Sequence, residues 1–166
     1  MQTQIRSNLL VLFFALATAI CQAQHASEAL KMVVNGQSQS MSAADLKALT
    51  HHTVTVHNPH ANADETYSGV PLIDLLAKQG VPHGGDLHGK ALAAYIVATG
   101  SDGYKAVLAL AEVDPEFHPG EILVADQMDG NPLDAKSGPF RLIVAEDKRP
   151  ARSVRGLVSI EVKTAE

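Results

Sequence analysis

The sequence predicts an α+β fold, a mixed and mostly antiparallel β-sheet or barrel-like core with a few short helices. Five β-rich runs crowd its second half: AAYIVATG, YKAVLAL, EILVAD, FRLIVAE and LVSIEV. Turn chemistry separates them, at Gly100-Ser101-Asp102-Gly103, Asp114-Pro115, Asp129-Gly130-Asn131-Pro132 and Ser137-Gly138-Pro139. Helical patterning is confined mostly to the first half, which argues against a regular βαβ alternation with a parallel sheet.

The chain opens with Met1 to Asn8, carrying Arg6, followed by LLVLFFALATAI and then Cys21-Gln22-Ala23. A short basic start, an apolar run and a small residue form the pattern of a secretory signal peptide over residues 1–23. The run falls short of the roughly 20 apolar residues that span a bilayer, so an exported protein, periplasmic or secreted and not membrane-spanning, is expected. Cys21 also stands where an acylated lipoprotein cysteine would, although Ile20 is bulky for such a signal. Cleavage after Ala23 removes the only cysteine and leaves residues 24–166 as one domain without disulfide or thiolate chemistry.

In the remaining chain KMVVNGQSQ reads as a strand leaving through an Asn35-Gly36 turn. Ser42 and Asp45 have the spacing of a helix cap, and Leu46 and Leu49 supply an apolar face, so a helix is expected over 42–49. His52 to His57 alternates as a strand, and TYSG is a second short one. Pro71 suits the first turn of a helix in LIDLLAKQG and Gly80 its end. Leu72, Leu75 and Leu76 face the core of that helix together with the incoming Val70, while Asp74 and Lys78 lie on its wet side. No repeat or linker divides the domain.

The formal net charge of −5 argues against a general nucleic-acid surface. No GxGxxG or GxxxxGK[ST] motif is present, and Ser101 lies among turn formers without a GxSxG elbow. Four of the eight histidines fall within HHTVTVHNPH. In a strand His51 and His57 would lie about 20 Å apart and His52 would point to the other face, so the strand alone gathers no metal site. His57 and His60, with Asp64 or Glu65, make at most a weak surface site. Loop histidines in water are the ordinary reading. A charge anomaly is more telling: Arg141, Lys148, Arg149, Arg152 and Arg155 are five of the 13 Lys and Arg side chains, packed into fifteen residues. Such a cluster is either a solvated basic loop or a site for a small anion or polar heterocycle, which guanidinium groups recognise bidentately. The acidic stretch Glu112 to Glu116 reads as a docking surface or a solvated turn.

YSGVPLIDLLAKQGV, AAYIVATGSDGYKAVLALAEVDPEF, ILVADQMDGNPL and GPFRLIVAEDKRPARSVRGLVSIEV, in that order, resemble the sulfite-oxidase-like, molybdopterin-binding oxidoreductase domain over roughly residues 50–162. The resemblance implies a mixed α+β fold and a pterin held by an arginine in the GPFRLIV strand, here Arg141. It also implies contact from a Ser-hydrophobic-Lys/Arg triplet, here Ser153-Val154-Arg155. Lys148, Arg149 and Arg152 complete the basic loop, and Tyr104, Asp102 and His57 are further candidates to line the site. Catalytic relatives place a molybdenum-ligating cysteine before the W/Y-x-GVPL segment, where this chain reads Thr53 to Asn58 without one. No catalytic residue or metal ligand is therefore assigned, and no cofactor firmly beyond a pterin, free or molybdopterin-like. Cysteine-lacking small relatives imply a partner as well, a membrane-bound enzyme of cyclic-dinucleotide signalling. Three readings stand: a non-catalytic pterin-binding protein, a molybdopterin-dependent oxidoreductase with atypical metal ligation, and a weak metal carrier through His57 and His60.

Overall fold

A computed structural model describes residues 29–165, so the signal segment and Cys21 lie outside the described residues. Strand β1 (Ala29–Val34) turns through Asn35 and Gly36, both at positive φ (51° and 76°), into β2 (Gln37–Ser42). Two left-handed residues give the hairpin turn whose twist matches its strands. The QSQS segment therefore pairs back along all of β1 instead of merely leaving it. Ser42 then caps α1 (Ala43–Lys47): its hydroxyl accepts from the Asp45 amide, and the Asp45 carboxylate accepts from the Ser42 amide. The helix is shorter than residues 42–49, and only Leu46 is fully buried on its face.

Strands β3 (His52–Asn58) and β4 (Ala63–Pro71) form a second antiparallel pair, β4 extending well beyond TYSG on both sides. Pro71 is the N-cap of α2 (Leu72–Ala77), whose Leu72, Leu75 and Leu76 are buried with Val70. The five β-rich runs become β5 (Ala94–Gly100), β6 (Lys105–Ala109), β7 (Ile122–Met128), β9 (Arg141–Val144) and β10 (Leu157–Thr164). Between β7 and β9, Asn131–Pro132, read from sequence as turn, forms the two-residue strand β8. Single 3₁₀ turns at Gly84–Asp86, Gly89–Ala93, Leu110–Glu112 and Pro150–Arg152 are too short to show any hydrophobic period. No helix among the described residues is long and apolar enough to cross a membrane.

The strands form two five-stranded sheets. The first has the order β2-β1-β10-β5-β6, and within it only β1 and β10 are parallel. The second runs β3-β4-β7-β8, with β9 also paired to β7. Both sheets contribute to one core: Leu30, Met32, Ile96, Leu108 and Ile160 from the first, Val70, Ile122, Val124, Leu142 and Val144 from the second. The second sheet also has apolar cover on its other face, where Tyr67, Leu123, Ala125 and Ile143 form a smaller cluster. That double cover explains why RLIV reads as an uninterrupted buried run, since alternation disappears when both faces of a strand are dry. Arg141, two residues from Ile143, falls on the face of the smaller cluster.

Strands β4 and β7 shift register at Gly69, where the two backbones approach too closely for a side chain. A Cβ there would stand 2.2 Å from the Val124 carbonyl oxygen and 2.4 Å from the Ala125 Cα, backbone atoms that cannot step aside. Gly69→Ala is expected to lower the unfolding free energy by about 2–3 kcal/mol in urea denaturation, the overpacking range. A loss under about 0.5 kcal/mol would mean that β4 and β7 separate there freely.

Candidate functional site

Strand β9 begins with a charge in an apolar environment. Arg141 is 8% exposed and pairs across β7 with the small Ala125, which leaves space for the guanidinium. Its Nη1 donates to the Tyr67 hydroxyl, and its Cζ lies 4.8 Å from the centroid of the Tyr67 ring. The Tyr67 hydroxyl donates in turn to Glu65 Oε2 at 2.6 Å, and Asn58 Nδ2 donates to Glu65 Oε1 at 2.6 Å. Glu65 and Tyr67 are two apart on β4 and share a face, while Asn58 ends the neighbouring β3.

Burial pushes the Glu65 carboxyl up, but the hydrogen bonds from Asn58 and Tyr67 and the charges of Arg141 and Arg155 outweigh it, holding Glu65 below its usual range. Burial, then the bond to Glu65, pushes the Tyr67 phenol well above its ordinary value. Burial also pulls the Arg141 guanidinium down from its ordinary value. The Arg141 Nε is buried and has no hydrogen-bond partner. An unsatisfied buried donor costs about 1–3 kcal/mol, more for a charged group, so this arginine is retained at the expense of stability.

Arg141 lines a cleft of about 710 Å³ together with Lys148, Arg149, Arg155, Ser153 and Tyr104. Pockets for small ligands span roughly 300–1,000 Å³. Asp102 is the one acid on its wall, and its Oδ1 already accepts from the Tyr104 amide at 2.9 Å. No acid among the described residues forms a salt bridge with Lys148, Arg149 or Arg155. Tyr104 is 50% exposed, and its hydroxyl donates to the Ala151 carbonyl at 2.7 Å, tying the basic loop to the start of β6. The Ser101 amide donates to the Gly156 carbonyl at 2.8 Å, which joins the Asp102 turn to the same loop.

The triplet Ser153-Val154-Arg155 divides its labour. Ser153 and Arg155 line the cleft, and the Ser153 hydroxyl accepts from the Val144 amide at 3.0 Å. Val154 is fully buried, and its carbonyl accepts from the Leu142 amide at 2.9 Å, so it anchors the loop instead of touching a ligand with its side chain. His57 lies outside the main cleft, on a side pocket of about 30 Å³ beside Asn58, Glu65, Arg141 and Arg155, and its Nδ1 is 2.9 Å from Asp64 Oδ1.

Arg152, grouped with Arg155 from sequence, is separated from the cleft. It grips Asp147 through Nε (2.9 Å) and Nη2 (2.7 Å) and reaches Glu112 through Nη1 at 2.8 Å. The 3₁₀ turn at Pro150–Arg152 faces the one at Leu110–Glu112, and two carboxylates there claim the whole guanidinium fork. The same contact removes Glu112 from any free acidic surface. Asp114, 2% exposed, is likewise occupied by the amides of Gly84 and Glu116. His51 and His52 pair with Asp126 and Glu121 at 3.2 and 2.6 Å. Among the described residues no group of three or more His, Cys, Asp or Glu is placed to hold a metal ion. Asn58 and Tyr67 are site residues that sequence reasoning passed over, and His60 and Glu65 were read there only as part of a weak surface metal site. The two-residue spacing of Glu65 and Tyr67 in a strand was the available signal.

A family model described as oxidoreductase molybdopterin binding domain matches residues 20–166. Among solved structures the chain is similar to the sulfane dehydrogenase SoxCD from Paracoccus pantotrophus, with a TM-score of 0.61 and 18% identity. The match covers 83% of this chain and 39% of that one, a likeness of fold. No curated protein matches the sequence.

The Arg152 clamp carries a pH signature. The hydrogen bonds from Arg152 hold Asp147 below its usual range against the effect of burial. Burial raises Glu112, but the bonds from Arg152 and from the Ala109 amide more than reverse it. Carboxyls held low stabilise the fold above their ordinary pKa and lose that contribution as pH falls through their folded values. Arg152→Ala is thus expected to lower the thermal midpoint at neutral pH, with the two curves converging as pH falls below the folded values of both carboxyls. Curves that stay parallel into acid would show that the clamp adds no electrostatic stability.

Proposed function

The chain belongs to the oxidoreductase molybdopterin binding domain family, and from that premise we propose that it is a non-catalytic protein that binds a pterin in the Arg141–Arg155 cleft. The observation that carries this reading is Arg141, a nearly buried cation on the cleft wall whose Nε finds no hydrogen-bond partner among the described residues. A pterin brings ring nitrogens and a carbonyl that accept from guanidinium donors, and an amino edge that suits the one carboxylate, Asp102. Tyr104 adds aromatic surface for a planar ring. A ligand without those acceptors would leave the buried cation unpaired, which makes Arg141 a discriminating group.

The residues fit the organic part of molybdopterin; when bound, the full cofactor supplies a molybdenum centre for redox chemistry. Arg141, Ser153 and Arg155 would hold its pterin, with Lys148 and Arg149 beside any anionic tail. A metal ligand is another matter. Residues 29–165 contain no cysteine, and in the β3 segment Thr53 to Asn58 the polar end groups are engaged, His57 by Asp64 and Asn58 by Glu65. Molybdenum favours a soft thiolate that these imidazole and amide groups do not replace. The fit thus extends to a pterin and not to a protein-ligated metal, and no redox step is assigned to this chain.

Export is part of the proposal, supported by the apolar run after Arg6. The partner that reads the occupancy is proposed from family resemblance alone, as a membrane-bound enzyme of cyclic-dinucleotide signalling.

Denaturing protein freshly isolated from its own compartment is expected to release a fluorescent pterin without stoichiometric molybdenum. Stoichiometric metal would overturn the non-catalytic reading. With neopterin as the calorimetric probe, Arg155→Ala is expected to weaken binding by about 1.5–3 kcal/mol, the range for a charge-assisted contact. Affinity within error of wild type for that variant would remove Arg155 from the site.

A further inference from the structure

Arg141 is held from one side only, and the group that holds it reaches back through β4 to β3. Its guanidinium lies over the Tyr67 ring and donates to the Tyr67 hydroxyl. That hydroxyl spends its own proton on Glu65, so it presents a lone pair to Arg141. Glu65 is the carboxylate at the end of this chain, and Asn58 fixes its second oxygen. A side chain at position 65 with one acceptor oxygen, such as glutamine, would have to set its N–H2 against either the Asn58 donor or the phenol. In the second case the phenol proton would turn toward the guanidinium, where donor would meet donor. The direction of every bond in the series therefore originates at the Glu65 charge.

Glu65 makes no salt bridge with Arg141, and it is absent from the wall of the main cleft. It borders the side pocket that continues from the cleft past Arg141 and Arg155. A direct Glu65–Arg141 pair would neutralise the cation. The interposed Tyr67 keeps the two charges apart and leaves the outer part of the guanidinium for a ligand. Stability alone does not call for this arrangement, because Leu142, Ile143 and Val144 continue the strand as ordinary apolar residues.

We propose that Glu65 is a positioning residue for the cleft: acting through the Tyr67 hydroxyl, with Asn58 as its brace, it holds the Arg141 guanidinium in the orientation that meets the ligand. The proposal rests on the pterin reading only for the identity of that ligand.

The test uses the full chain labelled with ¹⁵N, the Arg141 Nε–H resonance being identified by its loss in Arg141→Lys. In Glu65→Gln and Tyr67→Phe, which keep size and ring, the solvent exchange of that proton is expected to rise about tenfold or more, with backbone amide spectra otherwise retained. The dissociation constant for neopterin is expected to rise about tenfold in both variants. In Asp64→Asn, altered at the exposed neighbour that pairs with His57, both quantities should stay at wild-type values. An unchanged Arg141 signal in both variants overturns the proposal whether or not the wild type binds neopterin. So does a loosened Arg141 with unaltered affinity in a wild type that binds. A wild type that ignores neopterin, with Arg141 loosened in the variants, defeats the pterin reading and upholds the positioning role.

Discussion

A single buried cation organises this molecule. Arg141 enters the fold in the first position of a strand whose other three residues are apolar, with desolvation acting against its charge. Coulomb attraction in a poorly polarisable setting and hydrogen bonding to an oriented phenol offset part of that cost, and the remaining donor stays unmet. Everything nearby is arranged about that imbalance. Ala125 is small opposite it, Tyr67 lies beneath it, and Glu65 supplies the distant counter-charge.

The basic loop around residues 145–156 is a bridge between the two sheets, and several of its residues are committed to the protein. Arg152 fastens the outside to Asp147 and Glu112, and Val154 sinks into the core. Ser153 ties the loop to the end of β9, and Tyr104 ties it to β6. Among the described residues, Lys148, Arg149 and Arg155 are left without a salt-bridge partner. An acidic protein thus keeps a concentrated positive wall because the neighbouring acids are consumed by Arg152. Charge complementarity inside the loop is what exposes charge imbalance in the cleft.

The histidine-rich strand has a plainer role. His51, His52 and His57 each stand beside a carboxylate from another segment, which makes them polar ties along β3. Strand β3 ends in Asn58, and that amide serves Glu65. The strand's end thereby braces the Glu65–Tyr67–Arg141 series.

The sequence by itself determined the fold class, nearly every strand, the Pro71-led helix and the identity of Arg141, Ser153 and Arg155 as a group. Those features depend on local periodicity, turn chemistry and an ordered series of motifs, all of which are written in consecutive residues. Only the tertiary structure decided which of the five basic side chains are free. Arg152 and Arg155 stand three apart in sequence and have the same side chain, yet among the described residues one meets Glu112 and Asp147 and the other meets no acid. The Asn58–Glu65–Tyr67–Arg141 chain was equally invisible beyond its two-residue strand spacing, because its decisive step joins Tyr67 on β4 to Arg141 on β9, 74 residues away. Hydrogen-bond partners across sheets depend on register and on what desolvation leaves unpaired, and neither quantity is set until the sheets pack.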